Sequence, residues 1–226
     1  MAGLRAFIIC RDRVTYARQC TAALVAAGLE PVPVDCGSTW PPAVQWLDEM
    51  EAVGLLVLRR EGGHHPQKLW NWEPFREACG DSRYIVTDPD VVPSEDCPAD
   101  WPDMLGEALD RYGTPKAGLG LRLDRIPAHY QRREQVLSWE AQFWDKPLDD
   151  GLFDAIIDTT LALYRPLPES SSFEVEAVRT GPPYVADHLA WYEDLENLPP
   201  ELRHYHQHTD PGISYWTLPG KSVWGN

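Results

Sequence analysis

The sequence lacks any apolar run long enough to cross a membrane. The stretch from Ala6 to Cys10 is too short for a secretory signal, and nothing downstream approaches the roughly 20 residues of a membrane span. Cysteines are also few: there are five, and no two form a Cys-x-x-Cys pair, so neither a disulfide framework nor a zinc–thiolate site is indicated. We therefore expect a cytoplasmic protein with free thiols and no membrane partner.

Basic residues are scarce as well. The 226 residues include 20 Lys and Arg against 35 Asp and Glu, which gives a formal net charge of −15. Such a charge repels nucleic acid unless basic residues are locally concentrated or a bound cation changes the local field. The densest positive group, called here the arginine cluster, would be the docking surface for a polyanion or a solvated helix face: Arg122, Arg125, Arg132 and Arg133.

The first half of the chain alternates between strand-like and helix-like patterns. The run Leu4 to Cys10 predicts a strand, Tyr16 to Ala27 a helix, and Leu29 to Val34 a second strand. The pattern continues with a helix at Pro42 to Met50, a strand at Val53 to Leu58, a helix at Lys68 to Ala78 and a strand at Arg83 to Thr87. This alternation predicts an α/β fold with a mostly parallel central sheet flanked by helices.

The second half is less regular. We expect a helix at Trp101 to Tyr112, a strand at Lys116 to Leu123 and an amphipathic segment at Pro127 to Phe143. A strand or bent strand at Phe153 to Tyr164 and a short helix at Tyr184 to Trp191 follow, with a loop from Pro199 onward. The prediction is a single domain over residues 1–226. Residues 1–92 would bind the nucleotide, while residues 93–226 would bind the acceptor and include the C-terminal tail.

An Asp-x-Asp triplet, Asp88-Pro89-Asp90, directly follows the strand that ends at Thr87. Ligands of open α/β sheets bind at the carboxyl ends of the strands. Carboxylates there can hold a divalent cation that neutralises a diphosphate. The alternative is a solvated turn capped by aspartates.

Three more charged residues follow earlier strands at the same edge. Asp35, at the end of the second strand, could accept the imide N–H of a uracil ring, or it could form an Asx-turn or helix cap. Asp12 and Arg13 follow the first strand and would face the nucleotide, or form a surface salt bridge.

The order FIICRDRVTYARQCTAALVAAG, EPVPVDCGST and RYIVTDPDVVP resembles the nucleotide-binding half of GT-A glycosyltransferases, especially the family 2 type. The resemblance implies a Rossmann-like GT-A fold and a UDP-sugar donor. It also implies Mn²⁺ or Mg²⁺ at Asp88 and Asp90, with base recognition near Asp12 and Asp35.

Later stretches, KAGLGLRLDRIP, SWEAQFW, FDAIIDTTLALYRP and GPPYVADHLAWY, are similar to small glycosyltransferases of tailed phages and some actinobacteria. Some members of that subgroup glycosylate 5-hydroxymethylcytosine in DNA, which makes modified DNA an acceptor to consider. The charge of −15 favours instead a glycan, a protein or a small-molecule hydroxyl.

An inverting transfer needs a general base for the acceptor hydroxyl, and the candidates are Glu140 and Asp158. Asp158 stands among apolar residues, so it needs either a function or a partner such as Arg165. We expect no counterpart of the adjacent Glu-Asp pair that family 2 enzymes use, with Asp149-Asp150 as the nearest acidic doublet.

The histidines form two groups. His204, His206 and His208 alternate, so an extended strand would place all three on one face. GT-A enzymes often use a C-terminal histidine as an additional metal ligand, so the resemblance points to His208 first and His206 second, against a simple His-rich tail. His64 and His65 lie in a Gly-rich loop that could approach phosphate or sugar, or merely form a turn.

Four tryptophans could stack on sugar or base, although most are expected in the core: Trp70, Trp72, Trp139 and Trp144. The working hypothesis is transfer of a hexose from a UDP-sugar to a hydroxyl. A nucleotidyltransferase shares the sheet topology and carboxylate-bound metal, but the Gly-rich, Lys-bearing loop expected after its first strand is replaced by Arg11-Asp12-Arg13. A non-catalytic sugar-binding module is a third possibility.

Overall fold

The computed structural model describes residues 3–60, 66–158, 160–166 and 175–209. In these ranges one nine-stranded sheet runs through both halves of the chain, in the order β3-β2-β1-β4-β8-β6-β9-β5, with β7 also paired to β9. Six of the strands run in the same direction, and β5, β7 and β8 run against them. The predicted mostly parallel α/β sheet is confirmed.

The first half follows the predicted alternation, with two differences. The strand expected over Val53 to Leu58 is only two residues long, and the helix expected over Lys68 to Ala78 is a 3₁₀ helix, Pro66–Asn71, followed by a short α-helix. The elements of this half are β1 (Arg5–Cys10), α1 (Val14–Ala26), β2 (Glu30–Asp35), α2 (Pro41–Ala52), β3 (Leu58–Arg59), α3 (Glu73–Cys79), β4 (Tyr84–Thr87) and β5 (Val91–Pro93). Strand β1 lies between β2 and β4 and is parallel to both. The carboxyl ends of these three strands therefore meet at one edge of the sheet.

The second half completes the sheet with less regular elements. These are α4 (Trp101–Tyr112), β6 (Lys116–Leu121), α5 (Arg133–Glu140), β7 (Leu152–Asp154), β8 (Ala162–Tyr164), β9 (Ala177–His188) and α6 (Pro200–His208). The long strand β9 is parallel to β6, while its first part pairs with β7 and its last part with β5. It ends beside the segment that follows Asp90.

Strands β6 and β9 are bent where their register shifts between Leu119 and Gly120. A Cβ atom at Gly120 would lie 2.3 Å from the Thr180 carbonyl oxygen and 2.9 Å from the Trp144 ring. Only glycine allows this approach, so the sequence punctuation in KAGLGL reflects close packing of two backbones.

Three predictions for the second half are wrong. The single strand over Phe153 to Tyr164 is two short strands with a connection between them. The helix over Tyr184 to Trp191 is the end of β9 followed by a 3₁₀ turn, Leu189–Tyr192, because pairing with β5 and β6 extends this backbone. The segment from Pro199 is not all loop: it contains α6, which begins with a favourable proline and buries Leu202 and Tyr205 on one face.

Two apolar cores fill the two faces of the sheet, because alternate residues of a strand point to opposite sides. Ile8 of β1 belongs to the core beneath α1, α2 and α4, whereas Phe7 belongs to the core that contains Phe75 and Tyr84. The sheet edge described next is thus built on strands that are held from both sides. No helix in the described ranges has both the length and the apolar character needed to cross a bilayer.

Candidate functional site

The structure brings Asp12, Asp35, Asp88 and Asp90 to one edge of the sheet. Each belongs to a segment at or just after the carboxyl end of β1, β2 or β4, and these strands are neighbours. Of the four, Asp12, Asp35 and Asp90 are buried and Asp88 is partly buried. Buried carboxylates are costly without partners, so the contacts of each one indicate its role.

Asp12 organises the loop before α2. Its backbone has a positive φ of 57°, and its Oδ1 accepts hydrogen bonds from the N–H groups of Thr39 at 2.5 Å and Trp40 at 2.7 Å. Its own N–H donates to Ser38 Oγ at 2.9 Å. The second oxygen, Oδ2, is buried and makes no hydrogen bond among the described residues, with His204 Nε2 3.9 Å away. One side of the carboxylate is therefore structural and the other faces α6.

Asp35 adopts the turn interaction that the sequence left open. Its Oδ1 accepts a hydrogen bond from the Ser38 N–H at 2.9 Å, which holds the turn after β2. This contact uses one oxygen of the carboxylate. That Asp35 recognises a nucleotide base stays a prediction.

Four charged side chains lie near the Cys36 thiol, which is buried directly after Asp35. Burial raises the pKa of this thiol to about 11. Of the nearby charges, Arg60 and Arg11 lower the pKa, whereas Asp35 and Asp88 raise it. These four groups therefore converge at the ends of β1, β2, β3 and β4. Arg60 was not singled out from the sequence, although its place directly after β3 was a sufficient signal.

Asp90 forms a buried ion pair. Its Oδ2 accepts a hydrogen bond from Arg13 Nη1 at 2.5 Å, and His188 Nε2 lies 3.9 Å from the same oxygen. Burial alone would raise the pKa of Asp90, but Arg13 and then His188 outweigh it and lower the pKa below its ordinary value. Both members of the pair are charged.

The described ranges contain no group of three or more His, Cys, Asp or Glu side chains arranged to hold a metal ion. The residues present thus do not fit a metal centre formed by the protein alone, because Arg13 already holds an oxygen of Asp90. Metal ligation by Asp88, Asp90 and His208 stays a prediction. His65, assigned to donor binding, lies outside the described residues.

The histidine row is helical, so the prediction of three side chains on one face of a strand is wrong. In α6, His204 and His208 stand one turn apart and their rings stack at 4.0 Å, while His206 points elsewhere. His208 is exposed, and its Nδ1 lies 2.8 Å from the His204 carbonyl oxygen.

Helix α6 covers the segment that follows β1. The Glu201 carboxylate accepts hydrogen bonds from the N–H and hydroxyl of Thr15 at 2.9 and 2.8 Å. Arg11 Nη2 donates to the His208 carbonyl oxygen at 2.7 Å. The Tyr205 ring packs 4.6 Å from the Arg13 guanidinium carbon. The sequence analysis predicted a loop from Pro199 onward and so missed that α6 is part of the site.

Glu193 is a further acidic residue of the site that the sequence analysis overlooked. Its Oε1 accepts a 2.7 Å hydrogen bond from the Tyr16 hydroxyl, and its Oε2 is buried with no hydrogen-bond partner among the described residues. Burial raises the pKa of Glu193 to about 7, opposed by Tyr16 and Arg13 and reinforced by Asp90. A buried carboxyl group with this pKa suits proton transfer near neutral pH.

The expectation that the second half has no adjacent Glu-Asp pair is wrong, since Glu193-Asp194 is such a pair. The doublet itself, directly after Trp191-Tyr192, was the signal that could have found it. Asp194 has a different environment: it is exposed and accepts hydrogen bonds from the Glu196 N–H and the Asn197 side chain. Only the glutamate of the pair is enclosed.

Glu140, one of the two predicted bases, lies in a buried ion pair. Arg179 Nη1 is 3.2 Å from its Oε2, and the two side chains are 4% and 5% exposed. The Arg179 guanidinium also packs 4.0 Å from the Phe143 ring centre and donates through Nε to the Ile156 carbonyl oxygen at 2.8 Å. Burial raises the pKa of Glu140, against the effect of Arg179. These contacts tie Glu140 to the packing between α5 and β9.

Asp158, the other predicted base, is exposed in the connection between β7 and β8. The expectation of a carboxylate enclosed by apolar residues is therefore wrong, because the segment is not a buried strand. Its expected partner Arg165 instead donates to the carbonyl oxygens of Thr114 and Leu109 and lies 3.5 Å from Asp110.

The arginine cluster is largely neutralised by neighbouring acids. Arg122 forms two hydrogen bonds with the Asp96 carboxylate at 2.5 and 2.8 Å, and Arg125 reaches the same carboxylate at 3.3 Å. Arg132 is buried, and the fourth arginine pairs with Glu134 at 3.0 Å. The cluster is therefore not an open basic surface.

The tryptophans flanking Glu140 pack on other aromatic side chains. Trp139 contacts Phe143 edge to face at 5.7 Å, and Trp144 contacts Phe153 in the same way at 5.0 Å. Trp70 is buried among aromatic residues and donates to the Tyr84 hydroxyl at 2.9 Å. The expectation that most of the four tryptophans are core residues holds for Trp70 alone, since Trp72, Trp139 and Trp144 are only partly buried.

Comparison with known proteins relates the fold to glycosyltransferases. No family model and no curated protein matches the sequence. Three similar solved structures are the mannosyltransferase PcManGT from Pyrobaculum calidifontis in complex with GDP-Man and Mn²⁺ (15% identity, TM-score 0.52), GalNAc-T7 with UDP, GalNAc and Mn²⁺ (11%, 0.51), and S. aureus TarS 1-349 (11%, 0.50).

The three alignments each cover 83% of this chain but only 56%, 44% and 60% of the respective neighbour. The chain thus spans about half the length of the structures it matches. At these identities the similarity establishes the architecture alone. The chain has the GT-A type of α/β fold.

Proposed function

We propose that this protein is a glycosyltransferase that moves a hexose from a nucleotide-sugar donor to a hydroxyl acceptor. The observation that carries the proposal is the convergence of Asp35, Arg60, Asp88 and Arg11 around Cys36 at the carboxyl edge of a GT-A sheet. Such an edge is where open α/β sheets bind ligands. Its mixture of carboxylates and guanidinium groups suits the imide and phosphate groups of a nucleotide.

The donor site of the proposal extends along this edge. The second carboxylate oxygen of Asp35, Oδ2, would accept a hydrogen bond from the base, with Asp12 holding the adjoining loop. Arg60 and Arg13 would lie towards the diphosphate, together with Asp88. UDP-sugars remain the first donors to test, and GDP-sugars the second, since one of the similar structures contains UDP and another contains GDP-Man.

The proposal includes a divalent cation for which the protein supplies only some of the ligands. Two of the similar structures contain Mn²⁺, and Mg²⁺ or Mn²⁺ often takes most of its ligands from water and substrate phosphates. Asp88, Asp90 and His208 are the proposed protein ligands. The cation would supply charge neutralisation for the leaving diphosphate.

We propose Glu193 as the general base, ahead of Asp158 and Glu140. Glu193 combines an unpartnered buried oxygen with a pKa of about 7 and lies near the Arg13–Asp90 pair. Glu140 is engaged by Arg179, and Asp158 is exposed in the connection between β7 and β8, where its side chain has little positional restraint. In this role Glu193 would take the proton of the acceptor hydroxyl as that oxygen attacks the anomeric carbon.

The acceptor is proposed to be a hydroxyl on a glycan, a protein or a small molecule. The arginine cluster is compensated by acidic neighbours and the chain carries a net charge of −15, so binding of 5-hydroxymethylcytosine in DNA has little electrostatic support. Modified DNA stays in the acceptor panel as the alternative.

Calorimetric titration with UDP and with GDP, each in Mn²⁺ and in EDTA, tests the donor site. Binding of either nucleotide that is lost in Arg60→Ala supports it, with the exposed Arg18→Ala as a control for loss of charge. Release of nucleoside diphosphate from the matching nucleotide-sugar then tests transfer. Pyrophosphate release would instead indicate a nucleotidyltransferase, and sugar binding without turnover a non-catalytic module. Absence of any nucleotide binding would overturn the proposal.

A further inference from the structure

Arg13 is held on Asp90 from several directions. It follows Asp12, whose positive φ turns the chain at the end of β1, and α1 begins directly after it. Its Nη1 is 2.5 Å from Asp90 Oδ2, and the two side chains are only 12% and 4% exposed. The Tyr205 ring of α6 covers the guanidinium at 4.6 Å. The side chains of Asp90 and Tyr205, together with the backbone turn at Asp12, thus fix this one cation.

The surroundings of Arg13 are acidic. Burial alone would lower its pKa, but Asp90 first, and then Tyr205, Asp88 and Glu193, raise it above the ordinary value. Arginine is in any case always charged in proteins. The guanidinium is therefore a permanent positive charge at the point where the Asp-x-Asp carboxylates meet.

We propose that Arg13 acts as the protein's own counter-ion at Asp90, in the position that a divalent cation would take, so that the nucleotide-free chain binds Mn²⁺ only weakly there. A cation on Asp90 Oδ2 would stand beside the guanidinium, and two positive charges at such separation in a poorly solvated place repel strongly. The buried carboxylate also leaves little space for the waters that such ions retain.

The same geometry says what happens when the charge of Arg13 is removed. Asp90 would become a buried, uncompensated carboxylate, which is strongly unfavourable. His188 Nε2 is 3.9 Å from its Oδ2, and Asp88 stands two residues earlier in the same turn. Imidazole nitrogen and carboxylate oxygen are ligands that Mn²⁺ accepts. Neutralising Arg13 is thus expected to create metal affinity that the natural chain lacks.

Titration of Mn²⁺ without nucleotide, followed by the electron paramagnetic resonance signal of the free ion, tests this proposal. It concerns metal affinity alone and does not depend on glycosyl transfer. We expect Arg13→Gln to bind Mn²⁺ at least about tenfold more tightly than the natural chain, because the repelling charge is gone. Arg18→Gln, at an exposed position within α1, removes one charge elsewhere and should leave the affinity unchanged. Asp90→Asn added to Arg13→Gln should abolish the gain.

A thermal readout accompanies the titration. Because Mn²⁺ binds the folded form of Arg13→Gln, adding the ion should raise its Tm and leave that of the natural chain unchanged. If Arg13→Gln does not fold, the single variant Asp90→Asn provides the test. The proposal then requires that Asp90→Asn and the natural chain bind Mn²⁺ equally weakly. Tight Mn²⁺ binding by the natural chain that Asp90→Asn weakens, or a folded Arg13→Gln with no gain, would overturn the proposal.

Discussion

The Tyr16 hydroxyl donates a 2.7 Å hydrogen bond to Glu193 Oε1 and thereby joins α1 to the loop after β9. The other oxygen of the carboxylate is buried without a hydrogen-bond partner in the described ranges. The two oxygens of Glu193 are thus unequal, and the proposed proton transfer would use the oxygen that Tyr16 does not hold.

Replacing this carboxyl group tests its proposed role as base. Glu193→Gln keeps the size of the side chain but cannot take a proton, so kcat should fall roughly 10²- to 10⁴-fold. In the natural protein kcat should rise with pH through about 7, the pKa of Glu193, and the variant should lose this dependence. Glu140→Gln and Asp158→Asn, assayed over the same pH range, should retain it. If Asp158→Asn alone abolishes the dependence, the base is Asp158.

The raised pKa of Glu193 also predicts how stability depends on pH. Between about 4.5 and 7 the folded protein keeps a proton on Glu193 that the unfolded chain has released, so this group lowers stability as pH rises through that window. The loss is at most about 1.4 kcal/mol per pH unit. Urea unfolding at pH 5 and pH 7 should show that Glu193→Gln gains stability relative to the natural protein at pH 7. An equal difference at both pH values would contradict the assignment.

Local patterns were enough to predict most of the first half of the fold. The predicted bounds of β1, α1 and β2 lie within a few residues of the observed ones. Gly28, with a φ of 74°, follows the end of α1 as its position suggested. The same local information placed Asp88 and Asp90 after a buried strand. Their partner Arg13, 77 residues from Asp90 in sequence, was assigned to the nucleotide because spacing carries no information on such distant pairs.

Non-local pairing explains the failures in the second half. Strand β9 contains Pro182-Pro183, and the prediction had no strand before these prolines and a helix after them, yet β5, β6 and β7 together hold this segment extended. Helix α6 follows Pro199, which was taken for a loop signal rather than for the start of a helix. Because α6 covers the end of β1, this error also hid part of the site.

The bend between β6 and β9 predicts a strong effect of adding one methyl group. Gly120→Ala would place Cβ 2.3 Å from the Thr180 carbonyl oxygen, so backbone must move, and a loss of about 1–3 kcal/mol or more is expected. Gly106 in α4 is the matched control, because a Cβ there meets nothing closer than 3.7 Å. Gly106→Ala should stabilise the protein by roughly 0.4–1 kcal/mol. Denaturant unfolding of both variants measures the contrast.

The Glu140–Arg179 ion pair should matter for stability rather than for proton transfer. Glu140→Ala leaves the buried Arg179 guanidinium without its carboxylate, with an expected loss of about 3–5 kcal/mol. Glu140→Gln, which retains shape and a hydrogen-bond acceptor, should lose less and keep the pH profile of kcat. A double-mutant cycle with Arg179→Met measures the coupling. Near-additive losses would show that the two side chains stabilise the fold independently.

The contacts of Glu201 with Thr15 predict that α6 can be destabilised without unfolding the sheet. The Glu201 carboxylate accepts hydrogen bonds from the N–H and hydroxyl of Thr15 in the first turn of α1, where a negative charge is also favoured by the helix dipole. Glu201→Ala removes both contacts, and we expect a loss of roughly 1–3 kcal/mol. The loss should be confined largely to α6, so amide hydrogen exchange should accelerate there and at the start of α1 while β1 and β4 stay protected. The exposed Glu49→Ala in α2 provides the control. Uniformly faster exchange across the sheet would show instead that α6 unfolds only together with the whole domain.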